Sequence, residues 1–199
     1  MRRALIAFSA LLPLLLASCA DGGISGALGG LLQQPDAARP GTVDAEAAVR
    51  LISQYRMDHG LKPLKLDPTL MKIAATQAQR MASMDRMSHT LPGEGSFAQR
   101  IAAEGFPAAA AAENVAAGQK NLADVFEAWR KSPGHNANML APDVSLMGIA
   151  VAIQPRGKYH TYWSLDLGTR YVPPAGGPGP GPGPGPGTVV TIGGAVVGR

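Results

Sequence analysis

Four histidines, His59, His89, His135 and His160, are the side chains of this 199-residue sequence whose charge ordinarily changes near neutral pH. An imidazole can carry protons as a general acid or base, and its neutral form can donate a lone pair to a divalent metal. Two serines lie close to histidines: Ser88 precedes His89, and Ser132 stands three residues before His135. Neither sits in a Gly-x-Ser-x-Gly turn, so serine hydrolysis is not expected. His59 falls in Asp58-His59-Gly60, a helix end where a cation suits the dipole, and His160 falls on the polar side of an expected strand. Both read as solvated surface residues. The single cysteine, Cys19, cannot pair within the chain.

Cys19 belongs to an address. Residues 1–18 read as an export signal, with Arg2 and Arg3 ahead of an apolar run of 14 residues from Ala4 to Ala17. Such a run is shorter than the ~20 residues of a membrane span. Leu16-Ala17-Ser18-Cys19 resembles the lipobox of bacterial lipoproteins. That resemblance implies cleavage before Cys19, alkylation of its thiol by a diacylglyceryl group, and stable anchoring through two or three acyl chains. By the sorting rule of enterobacterial lipoproteins, Ala20 favours the outer membrane. The expected location is extracytoplasmic, lipid-anchored, on the periplasmic or outer face.

Two tails flank the folded part. Residues 19–42 comprise the lipidated cysteine and a Gly-rich tether, and residues 172–199 are expected to be a disordered Gly-Pro-rich tail. Gly177 to Gly187 alternates Gly and Pro, a period of two that excludes a collagen triple helix. Thr188 to Val197 favours β structure; it could add a strand to another protein's sheet edge, although a floppy end is the preferred reading. Nine of the ten aromatic residues lie between Tyr55 and Tyr171, so the domain is placed at 43–171. The formal charge of +4 falls to +2 without residues 1–18, and no basic cluster is interleaved with aromatics. Nucleic acid is therefore not an expected partner, and the domain is expected to be a monomer.

Within 43–171, periodicity predicts helices followed by a hairpin. Thr42 can cap a helix with Ala48, Leu51, Ile52 and Tyr55 on one face, ended by Gly60. Asp67-Pro68 opens a second helix through about Arg86. Ser96 and Gln99 form a capping box for a short helix stopped by Gly105, and Asn121 starts another that carries Leu122, Val125, Phe126 and Trp129 inward. The methionines Met71, Met81, Met84 and Met87 read as core fillers. Met147, Ile149, Val151 and Ile153 then alternate with small residues. Tyr159, Thr161, Trp163, Leu165 and Leu167 alternate with His160, Tyr162, Ser164 and Asp166, and Gln154 to Lys158 form the turn. The class is α+β, with helices covering a small antiparallel sheet.

Four stretches align in order with one family: Leu61 to Pro68, Met87-Ser88-His89, Glu113-Asn114-Val115, and Trp129 to Leu140. With the hairpin, they resemble the bacterial branch of the CAP superfamily of cysteine-rich secretory, antigen 5 and pathogenesis-related-1 proteins. The resemblance implies an α-β-α sandwich, helices packed on both faces of the sheet, and a cleft lined here by His89, Glu113 and His135. Many eukaryotic members carry a second glutamate three residues after the tryptophan; this chain has Ser132, as bacterial members commonly do. Ala112 replaces the usual glycine before Glu-Asn.

Two imidazoles and a carboxylate suit a divalent metal such as zinc, with open positions for water. The same groups suit acid–base catalysis, or purely structural roles in which Glu113, Asn114 and the histidines satisfy buried partners. Trp129 and Asn138 read as a core anchor and a polar contact of a short helix. Two functions follow from the resemblance. The favoured one is a membrane-anchored envelope module that binds a lipid, glycan, peptide or partner protein in the cleft. The other is a metal-dependent hydrolase, peptidase or wall-active, using the same residues.

Overall fold

The computed structural model describes residues 41–173, 189–192 and 195–198. The signal, Cys19, almost all of the tether and the Gly-Pro run lie outside them. The helices begin where polar side chains can take up free backbone donors. Asp44 caps α1 (Ala45–Asp58), accepting from the Ala47 amide at 2.9 Å, two residues later than the expected Thr42. Asp67 caps α2 (Pro68–Ser83) by accepting from the Thr69 and Leu70 amides, and Pro68 occupies the first turn, where no N–H is required. Helix α2 stops short of Arg86 because Asp85 adopts φ 49°. Ser96 and Gln99 close the expected capping box of α3 (Phe97–Ala103). Asn121 caps α4 (Leu122–Lys131), and Pro133 opens α5 (Pro133–Met139).

The strands are β1 (Lys65–Leu66), β2 (Ala108–Ala117), β3 (Leu146–Ile153), β4 (Thr161–Arg170), β5 (Val189–Ile192) and β6 (Ala195–Gly198). They form one sheet in the order β1-β3-β4-β2-β5-β6. The expected hairpin is β3–β4, paired from Leu146 with Gly168 to Ile153 with Thr161. β4 pairs antiparallel with β2, Glu113 standing opposite Asp166. β5 runs parallel to β2, and β6 antiparallel to β5. The tail is thus not disordered throughout: two of its segments extend the domain's own sheet.

Helices cover both faces of that sheet, which is the expected α-β-α sandwich. On one face Ala110, Ala112, Ala116, Trp163, Leu165, Leu167, Met147 and Ile149 pack with Ile52 of α1 and Val125 and Trp129 of α4. On the other, Ala111 packs with Leu70, Ile73, Phe97 and Ile101 of α2 and α3, and Val115 and Tyr162 pack with Met81 and Leu91. Burial of each large apolar side chain contributes roughly 1.5–3 kcal/mol. Because both faces are covered, Tyr162, Ser164 and Asp166 are buried rather than solvated. Met84 and Met87, expected in the core, are 44% and 48% exposed, since they follow the end of α2; Met81 is buried. Helix α2 presses directly on β3: a Cβ at Gly148 would lie 2.2 Å from the Leu70 carbonyl carbon.

Candidate functional site

Glu113 lies at the middle of β2 and is fully buried. Alternation along a strand sends adjacent side chains to opposite faces, so Glu113 meets the α2–α3 layer and Asn114 meets the α5 layer. On the first side, His89 Nδ1 is 2.8 Å from Glu113 Oε1, and the Arg100 guanidinium pairs with Glu113 Oε2. A carboxylate only accepts, so His89 carries its proton on Nδ1 and turns Nε2 outward as the available nitrogen. The His89 side chain is 27% exposed.

The loop bearing His89 is held by its backbone. Gln77 Nε2 donates to the Ser88 carbonyl at 2.7 Å, Arg100 donates to the His89 carbonyl at 2.8 Å, and Arg80 donates to the Pro92 carbonyl at 3.0 Å. Gln77 and Arg100 are both buried.

His135 stands in the first turn of α5, with its Nδ1 2.9 Å from Ser132 Oγ. Burial, and secondarily the charge of His89, hold its pKa below the usual histidine value. The two histidines arrive from opposite layers. Helix α5 is fixed to β2 by asparagines: Asn114 Nδ2 donates to the His135 carbonyl at 3.0 Å, and Asn138 Nδ2 donates to Asn114 Oδ1 at 2.8 Å and to the Glu113 carbonyl at 3.2 Å. Tyr55 donates to Asn136 Oδ1 at 2.9 Å. Arg56, fully buried, donates to the carbonyls of Lys62, Met139, Ala141 and Val144 at 2.7–3.0 Å, fastening the far end of α5.

Sequence reasoning missed two residues of this site. Arg100 neutralises and orients Glu113. Asp166, opposite Glu113 on β4, is a second buried acid, held through Oδ1 by Ser164 Oγ at 3.2 Å. Burial, then the neighbouring Glu113 carboxylate, push its pKa well above the usual carboxyl value against the opposing pull of Arg100. Among the described residues, its Oδ2 has no hydrogen-bond partner. The remaining histidines lie at the surface: His59 Nδ1 bonds the Tyr55 carbonyl at 2.8 Å, and His160, at φ 66°, bonds the Pro155 carbonyl at 3.0 Å. Among the described residues, no three His, Cys, Asp or Glu side chains are grouped to hold a metal ion. Glu113 is close to His89, but both its oxygens are engaged; the unengaged donor that this geometry leaves on His89 is Nε2.

The comparisons agree with this architecture. The cysteine-rich secretory protein (CAP) family profile matches residues 49–167. The chain is 36% identical over 112 residues to uncharacterized protein YkwD of Bacillus subtilis (strain 168), an alignment covering 55% of this chain and 44% of that one. The chain thus spans less than half the length of that relative. Two solved structures share the fold at TM-score 0.56. One is an extracellular protein containing an SCP domain from Bacillus anthracis, 22% identical, with 63% of this chain and 40% of that chain covered. The other is an outer surface protein from Borrelia burgdorferi, 24% identical, with 67% and 100% covered. With its matched span, its sandwich and the residues that gather at β2, this chain belongs to the CAP, or cysteine-rich secretory protein, family.

Proposed function

We propose that the protein is a lipid-anchored, extracytoplasmic envelope module that binds a lipid, glycan, peptide or partner protein in the cleft of His89, Glu113 and His135, without turning it over. The observation that carries this reading is the division of catalytic parts between the two histidines. Among the described residues, His135 has a hydroxyl neighbour, Ser132, but no carboxylate behind it. His89 has the carboxylate, Glu113, but no bonded nucleophile. Nucleophilic catalysis needs nucleophile, base and orienting acid in one line. The extracellular and outer-surface descriptions of the fold neighbours, and the signal ending in Cys19, support the location.

A divalent metal fits the donor chemistry in one arrangement. His89 Nε2 and His135 Nε2 would hold it, and Glu113 would fix the His89 tautomer from behind, as carboxylates do for metal-bound histidines. Such a metal would supply a Lewis acid for an oxygen-bearing ligand. A two-imidazole site is open and of modest affinity.

The test incubates the mature protein with peptidoglycan and with casein, with and without zinc, beside His135→Ala. Saturable binding without turnover, weakened in the variant, is expected. Turnover abolished by His135→Ala would instead establish the metal-dependent hydrolase.

A further inference from the structure

The outer edge of β2 is occupied in an unusual manner. Ala110 to Glu113 pair with Val189 to Ile192 of β5, parallel and in register. At Glu113 the edge passes from strand to helix, where the Glu113 carbonyl accepts from Asn138 of α5. β5 covers only four residues of β2, and its single further strand, β6, is equally short. The chain that leads to it is long. From Arg170, beside Ala108, to Val189, beside Ala110, the path crosses one intervening strand and advances two residues along it, a distance of about 12 Å. The 18 residues between them could span about 60 Å when extended. A connection so much longer than its gap presents the strand at only a modest effective concentration, on the order of millimolar.

We propose that the Ala110–Glu113 edge is a docking site for an extended peptide strand, with the tail segment 189–198 as its tethered and displaceable occupant. The chemistry of a competing peptide follows from the two sides. β2 presents alanines at 110, 111 and 112, which offer no charge to pair. The present occupant, Val-Val-Thr-Ile, is uncharged and β-branched. A partner therefore needs four consecutive residues of that kind without proline, because main-chain pairing supplies the affinity. An unpaired edge would leave backbone groups of a buried strand exposed to aggregation, which explains a tethered occupant. The docked strand ends beside Glu113. Docking itself does not depend on what the cleft binds.

The test uses the full mature chain and a variant carrying Val190→Pro and Thr191→Pro, placed in tandem so that either alternation of the ladder loses a bond to β2. Amide hydrogen exchange and fluorescence anisotropy of a labelled peptide of residues 188–199 are measured on both. In the wild type, amides of 110–113 and 189–192 should be protected. In the variant, protection should vanish at 189 and 192, the two positions of the strand that keep an amide, and the free peptide should bind at least tenfold tighter than to wild type while restoring protection at those amides of 110–113 that face β5 rather than β4. A chain truncated after residue 188 should behave as the variant does, and a peptide with both prolines should not bind. Random-coil exchange of 189–192 in the wild type, equal peptide binding to both chains, or protection confined to a dimer on size exclusion would each overturn the proposal.

Discussion

Asp166 and Glu113 face one another across β4 and β2, both without solvent exposure, and Arg100 is the one cation that pairs directly with the couple among the described contacts. A second carboxylate charge there would be buried beside the first. Asp166 accordingly holds its proton above the usual carboxyl range. Its folded-state pKa is raised, so the folded chain binds more protons than the unfolded chain above about pH 4. Stability should then fall as pH rises through the window up to the folded pKa, by up to about 1.4 kcal/mol per pH unit. Asp166→Asn should remove that slope, as read by urea denaturation at a series of pH values. An unchanged slope would place the responsible group elsewhere.

His135 behaves in the opposite sense. Its pKa is lowered by burial and, to a smaller degree, by His89. The unfolded chain then takes up the proton first, and the stability contributed by neutral His135 should be lost as pH falls below about 6.5. In His89→Gln, NMR titration should find the His135 pKa moved upward yet still below about 6.5, because burial remains. A value unmoved by the substitution would show that the two rings do not interact.

Gly148→Ala should cost about 3 kcal/mol of stability, since the added methyl meets the backbone of Leu70 and Met71 rather than a flexible side chain. Thermal or urea unfolding checks this. A loss under ~0.5 kcal/mol would mean that α2 slides readily on β3.

Wild-type protein should partition with membranes, and Cys19→Ser should leave it unlipidated and in the soluble fraction. Metabolic labelling with a palmitate analogue distinguishes the two. Wild-type protein found entirely soluble would remove the anchor from the proposed function.

Much of the fold was legible because caps are local. Asp67-Pro68, Ser96 with Gln99, and Asn121 each announce a helix start through side chains that satisfy free amides within three residues. The strand β2 was not legible. Its run Ala108 to Ala112 favours helix intrinsically, and only packing between two helical layers, where small side chains permit close approach, makes it a strand. Arg100 escaped notice as an ordinary helical arginine, although it stands three residues after buried Phe97 and one before buried Ile101, on the apolar stripe. A charge on that stripe signals a buried partner. Asp166 was legible only as the polar partner in an alternating strand; what buries it is the helical layer on its own face of the sheet.

The neighbouring side chains of Glu113 and Asn114 have one further consequence. His89 is registered to the first and the helix of His135 to the second, so the two histidine-bearing segments are measured against a single planar peptide unit. The distance between consecutive α-carbons is fixed covalently at about 3.8 Å. Breathing of either helical layer moves one histidine relative to that ruler, but it cannot change the ruler itself. Insertion or deletion of one residue in the preceding alanine run, with the upstream pairing kept, would exchange the faces of the acid and the amide. The spacing of the site is thus encoded in chain length as much as in side-chain identity.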